Sequence, residues 1–298
     1  MPGWIPCLGL LALVCTGLSG AASGAALVVC TVSYPLAYFA ERIGGAAVTA
    51  RFPAPADVDP AFWKPDPATI SACQTADLVL LNGAGYARWV GQASLPRRKL
   101  VDTSRVFRAA YLPGEQTPVH QHGPAGEHSH GRVASTTWLD PVQAIAQARA
   151  IEVAFAKRRP EDAQGFAQRA AALVTDLEQL DRELAAAFGA LGGEPLLASH
   201  PVYPYLARRY GLDLRSFSWE PDLDPGPADW KALDVLLDER PARLMLWEAA
   251  PTGATRAKLE ARGVGVVVFD IAANWPTRGD YLSVMRANVD ALRRAAKS

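Results

Sequence analysis

The sequence predicts an α/β protein of two lobes, each a parallel sheet flanked by helices, joined by one long rigid helix. Three observations carry that expectation. Short apolar runs alternate with helical segments from Leu27 to the C-terminus, as in strands buried on both faces. One stripe, from Phe166 through Ala170, Leu173, Leu177, Leu180 and Leu184 to Phe188, recurs at three- and four-residue steps over a helix of about seven turns. The strand–helix alternation lies on both sides of that stripe, and 298 residues exceed the needs of a single small domain.

Residues 1–26 read as a secretory signal. The apolar run Leu8–Cys15 is too short to span a bilayer, and small residues follow it through Ala26. Val14 before Cys15 is bulkier than lipidation sites carry, so export without a lipid anchor is expected. The N-terminal lobe is assigned to 27–159. Ala26–Ser33 is its first buried strand, Tyr34–Ile43 a helix stopped by Gly44-Gly45, and Ala46–Phe52 a second strand. Prolines from Pro53 to Pro67 make a long loop. Asp66-Pro67 then opens a helix through Ala76. Asp77–Leu81 and Lys99–Asp102 are further strands. The segment 114–132 holds four of the five histidines and reads as a solvated loop with no element of its own. Asp140-Pro141 starts a helix to Arg158.

The linking helix is assigned to 160–191, with Gly192-Gly193 ending it. The C-terminal lobe takes 192–298. Its strands are Pro195–Ser199, Leu214–Ser218, Arg243–Trp247 and Val264–Phe269. Its helices are Val202–Tyr210, Ala228–Glu239, Thr252–Arg262 and Asp280–Ala296.

Acidic and basic residues balance at 30 each. No field of one sign attracts nucleic acid or an anionic membrane, so no nucleic-acid partner is expected. Cys7 and Cys15 would leave with the signal. Cys30 and Cys73 remain, either as a disulfide of an exported chain or as two buried thiols. No catalytic motif appears: there is no Gly-X-Ser-X-Gly, no His-Glu-X-X-His and no phosphate-binding glycine loop. The chain is therefore read as a binding protein and not an enzyme.

Ligands of open α/β sheets bind beyond the carboxyl ends of the strands. The residues there are Ser33-Tyr34-Pro35, Asn82-Gly83, Ser199-His200-Pro201, Trp219-Glu220, Glu248 and Asp270. His200, Asp270 and Glu248 offer nitrogen and oxygen donors suited to zinc or manganese. An ordinary core histidine beside arginine-paired carboxylates is the competing reading. His120, His122, His128 and His130, near Glu127, form two His-X-His pairs suited to weak, exchangeable metal binding. Trp63, Trp138, Trp219, Trp247 and Trp275 fall near the predicted cleft edges, as cleft walls or as packing between lobes.

At these residues the chain resembles the zinc/manganese solute-binding proteins of bacterial ABC importers. The resemblance runs from Val28 to the C-terminus. It rests on Ser33-Tyr34-Pro35, the run Ala76–Gly83, Trp138-Leu139-Asp140-Pro141, Ser199-His200 with Tyr205–Leu212, Glu248, and Asp280-Tyr281 through Asn288. It implies two lobes with a metal in the cleft, delivery to an ABC permease and its ATPase, a periplasmic or extracytoplasmic monomer, and Zn²⁺ or Mn²⁺ as transported ligand rather than catalytic cofactor. The family's first two histidines correspond here to Ala61 and Thr136. Only the third and fourth ligand positions carry over, as His200 and Asp270. Three readings stay open: a metal held with substitutes such as Glu248 or Glu220, a metal chelate or organic ligand held by the tryptophans, or a metal chaperone or buffer using mainly the histidine loop.

Overall fold

Two parallel sheets organise the chain in the computed structural model, which describes residues 25–114, 120–121, 127–128 and 133–297, together with Met1. All of the expected signal except its last two residues and Met1 lies outside the described residues. The N-terminal sheet contains β1 (Leu27–Thr31), followed by helix α1 (Tyr34–Gly44), β2 (Val48–Arg51), helix α2 (Pro67–Thr75), β3 (Leu78–Leu81) and β4 (Leu100–Asp102). Its strand order is β2-β1-β3-β4, all parallel. Val29, Val79 and Leu80 are fully buried, as strands covered on both faces require.

Local chemistry sets the boundaries. The expected strand from Ala46 begins two residues later, because Gly45–Ala47 turns as a 3-10 helix with Gly45 at φ 53. The Asp66 side chain accepts from the Thr69 amide at 2.7 Å and caps α2. Cys30 on β1 and Cys73 on α2 form a disulfide.

Within the histidine-bearing segment, β5 (His120–Gln121) pairs antiparallel with β6 (Glu127–His128), setting His120 opposite His128. The expectation of no element there is corrected to that extent. His122 and His130 lie outside the described residues. Asp140 caps helix α3 (Pro141–Arg158) by accepting from the Val142 amide. Helix α4 (Ala163–Gly189) follows after a 3-10 turn at Pro160–Asp162. It is about 40 Å long at 1.5 Å per residue, and its predicted stripe from Phe166 to Phe188 is buried throughout.

The second sheet contains β7 (Leu196–Ala198), helix α5 (Pro204–Tyr210), β8 (Leu214–Ser216), helix α6 (Pro227–Glu239), β9 (Leu244–Trp247), helix α7 (Gly253–Glu260) and β10 (Gly265–Val268). Its order is β10-β9-β7-β8, again all parallel. Helix α8 (Tyr281–Ala295) ends the fold and packs on α4 and α1 as well as on β10. Arg169 of α4 donates to the Ile43 and Gly44 carbonyls at the end of α1, at 2.7 and 3.1 Å, where the helix has orphan acceptors. One apolar cluster runs from Val29 and Leu80 through the α4 stripe to Leu196, Leu246 and Val267. A second, smaller one gathers Trp219, Trp230, Met245 and Trp247 on the outer side of the second sheet. Among the described residues, no helix is long and apolar enough to cross a membrane.

Candidate functional site

The carboxyl ends of both sheets open onto one cavity of about 1170 Å³. β7 delivers His200, β9 Glu248 and β10 Asp270, while β3 delivers the Gly83–Tyr86 turn opposite them. His200 is buried, and its Nδ1 lies 3.5 Å from the Glu220 carboxylate. Glu248 keeps part of its surface, on the cavity side. Burial, and then the charges of Asp59, Glu220 and Asp270, push its carboxyl up to about 8. Burial also raises Asp270, opposed by the hydrogen bond that its Oδ1 accepts from the Ala272 amide at 2.7 Å.

The supports of these side chains are buried polar groups. Asn288 of α8 accepts from the Asp270 amide at 3.0 Å and donates to the Asp270 carbonyl at 2.7 Å. The Tyr203 hydroxyl donates to the Phe269 carbonyl at 2.8 Å. On the opposite wall, Asn82 is completely buried. It donates to the Ser135 carbonyl at 2.7 Å and accepts from Thr137 and Gln147 at 3.1 and 2.9 Å, tying together two cavity-lining loops. Gly83 sits at φ +75, and a Cβ there would stand 1.9 Å from Ser104 Oγ, so only glycine fits.

Hydrogen bonds also join the walls. The Thr136 hydroxyl donates to the Val202 carbonyl. The Tyr205 hydroxyl donates to Ala134 at 3.0 Å, and the Tyr34 amide to Ala273 at 3.1 Å.

The three expected metal ligands thus line one cavity, but they do not make a finished metal site. Among the described residues, no three His, Cys, Asp or Glu side chains stand together as a metal cluster. Ala61 and Thr136 both line the same cavity. Pro113 bridges Val133, and Gly114 and Val133 reach the cavity lining, so the histidine-bearing segment springs from its rim.

The expected tryptophan walls are corrected to one residue. Trp63 lines the cavity; Trp138, Trp219, Trp247 and Trp275 do not. Trp138 is buried between the lobes, with its indole N–H donating to the Ile271 carbonyl at 2.7 Å. Trp219 and Trp247 pack with Trp230 in the smaller core. Trp275 lies over Tyr34 and Phe52, with ring centroids 5.1 and 5.6 Å away. Proximity to a strand end does not determine which way a large ring turns. Sequence reasoning missed Asp59, Tyr86 and the Asn288 clamp. Asp59 was visible only as a neighbour of Ala61, and the clamp spans 18 residues with no local pattern.

The profile of the family described as zinc-uptake complex component A, periplasmic, matches residues 28–295. The zinc-binding lipoprotein AdcA of Streptococcus pneumoniae is 24% identical over 277 residues, covering 89% of this chain but 55% of that protein, so the chain spans about half the length of such relatives. The high-affinity zinc uptake system protein ZnuA of Bacillus subtilis is 24% identical over 284 residues, covering 92% of this chain and 89% of that one. The fold is similar to that of the Zn(II)-bound ZnuA-like domain of Streptococcus pneumoniae AdcA, with a TM-score of 0.75 at 20% identity over 92% of this chain and 100% of that domain. With its two parallel sheets, its long helix and a match over nearly its whole described length, the chain belongs to the family described as zinc-uptake complex component A, periplasmic.

Proposed function

We propose that this chain captures a divalent transition metal, zinc foremost, in the cleft between its sheets and presents it to an ABC permease outside the cytoplasm. The observation that supports the reading is the composition of the second-sheet wall. Buried His200 shares that wall with Glu220, Glu248 and Asp270, and among the described residues no Lys or Arg lines it. A divalent cation offsets the repulsion that raises Glu248, and imidazole favours zinc over Mg²⁺ and Ca²⁺. His200 is the nitrogen ligand, and Asp270 and Glu248 are the carboxylates that swing in on loading. Hydrogen bonds across the cleft limit closure to a small tilt. The role is binding rather than catalysis, by an exported monomer in which residues 1–26 serve as signal.

The test is zinc affinity by chelator competition, on the full chain with His120, His122, His128 and His130 replaced by Asn. A single tight site lost in His200→Ala supports the assignment. Absence of a tight site for zinc or its chelates, or one indifferent to His200, refutes it.

A further inference from the structure

The cavity is larger than a bare ion needs. A divalent ion with six waters fills roughly 200 Å³ at the volume water takes in the liquid, against about 1170 Å³ here. Small organic ligands are enclosed by cavities of about 300–1,000 Å³.

The walls also differ in kind. The second-sheet wall carries Glu220, Asp222, Glu248 and Asp270 together with His200. The opposite wall carries rings, among them Phe62, Trp63, Tyr86 and Tyr111. Its charges balance in number among the described residues: Arg108 pairs with Asp102 at 2.9 Å, and Lys64 and Arg88 match Asp57 and Asp59 in count. The described lining as a whole is therefore acidic. Small side chains, Ala61 and Thr136, leave room on the aromatic side.

We propose that the cargo enters as a cationic chelate: a divalent metal carried by a planar chelator with neutral nitrogen donors. The metal faces His200 and the carboxylates, and the ring lies against Trp63. This inference rests on the metal-capture reading and names the form in which the metal comes. An anionic chelator would cancel the metal's charge and set carboxylates against carboxylates. A neutral one keeps both positive charges and adds ring contact with an aromatic wall. A bidentate chelator fills two coordination positions, so the protein supplies few ligands. That suits a cavity in which the described His, Asp and Glu residues form no three-membered cluster.

The experiment is calorimetric titration of the full chain carrying Asn at the four loop histidine positions. The probes are Zn²⁺ alone, the 1:1 Zn²⁺ complex of 2,2′-bipyridine, the 1:1 Zn²⁺ complex of pyridine-2,6-dicarboxylate, and free 2,2′-bipyridine. The expected result is bipyridine-bound zinc at least about tenfold tighter than Zn²⁺ alone, with the dicarboxylate complex weaker than both. Trp63→Ala and Trp63→Leu should each erase the gain, bringing the affinity for the bipyridine complex down to that for Zn²⁺ alone in the same variant. Zn²⁺ alone binding as tightly as the bipyridine complex overturns the inference and leaves metal capture standing. A gain that survives both Trp63 variants also overturns it. Free bipyridine binding as well as its zinc complex overturns the inference alone, and no binding by any zinc probe overturns both.

Discussion

Asn288 grips Asp270 at both polar groups of its backbone, accepting from its N–H at 3.0 Å and donating to its C=O at 2.7 Å. The first carboxylate beyond β10 is thus positioned by α8, a helix that does not line the cavity. Replacing Asn288 with Ala strands two backbone groups at a buried position, at a cost of about 1–3 kcal/mol. Melting curves should show lost stability, and zinc affinity should fall as Asp270 loosens. A stability loss with unchanged affinity would confine Asn288 to a folding role.

His200→Ala should lower tight zinc affinity by more than the roughly 10–100-fold cost of losing a supporting partner of a metal ligand. The zinc-induced rise in melting temperature should vanish, while weak binding by the histidine loop remains. The measurement is paired melts with and without zinc.

Glu248 governs a pH dependence of the metal-free chain. Its folded carboxyl titrates at about 8 against an ordinary 4.5. Between those values the folded chain holds a proton that the unfolded chain has released, so stability falls as pH rises through that window. Asp270, also raised, acts in the same direction. Glu248→Gln should melt higher than the native chain at pH 8 and nearly equal to it at pH 4.5. A constant difference across that range would contradict the assignment.

The Cys30–Cys73 bond closes a separation of 43 residues. Loop-closure entropy assigns it roughly 4 kcal/mol. The double Cys→Ser variant should lose stability of that order in chemical denaturation, with zinc affinity little changed because neither cysteine lines the cavity.

Placing histidines on the wall opposite His200, as Ala61→His with Thr136→His, should tighten binding of bare zinc, since both positions line the cavity and zinc prefers three or four protein ligands. Chelator competition reads the change. Equal affinity would mean that the two walls do not meet around one ion.

The sheets and helices were legible because their signals are local. Asp66-Pro67, Asp140-Pro141 and the seven-residue stripe on α4 each declare themselves within a few turns. The strand-end rule likewise placed His200, Glu248 and Asp270 on one cavity. It failed for the tryptophans, since ring direction depends on packing partners distant in sequence, as with Trp138 reaching Ile271 across 133 positions. Asn82 and Asn288 were illegible as supports for the same reason: their partners lie 18 to 65 residues away.

The apolar cluster that passes through α4 into both sheets is shared by the two halves, and the smaller core outside the second sheet is the one part that belongs to a single half among the described residues. Melting of one sheet exposes most of the shared core to water, so denaturation should be a single cooperative event. A fragment cut at Gly192 would lose that shared interior on both sides and should not fold as either half. If the cleft captures metal as proposed, release should proceed without unfolding either half, by a small tilt with side-chain and loop adjustments at the cleft mouth.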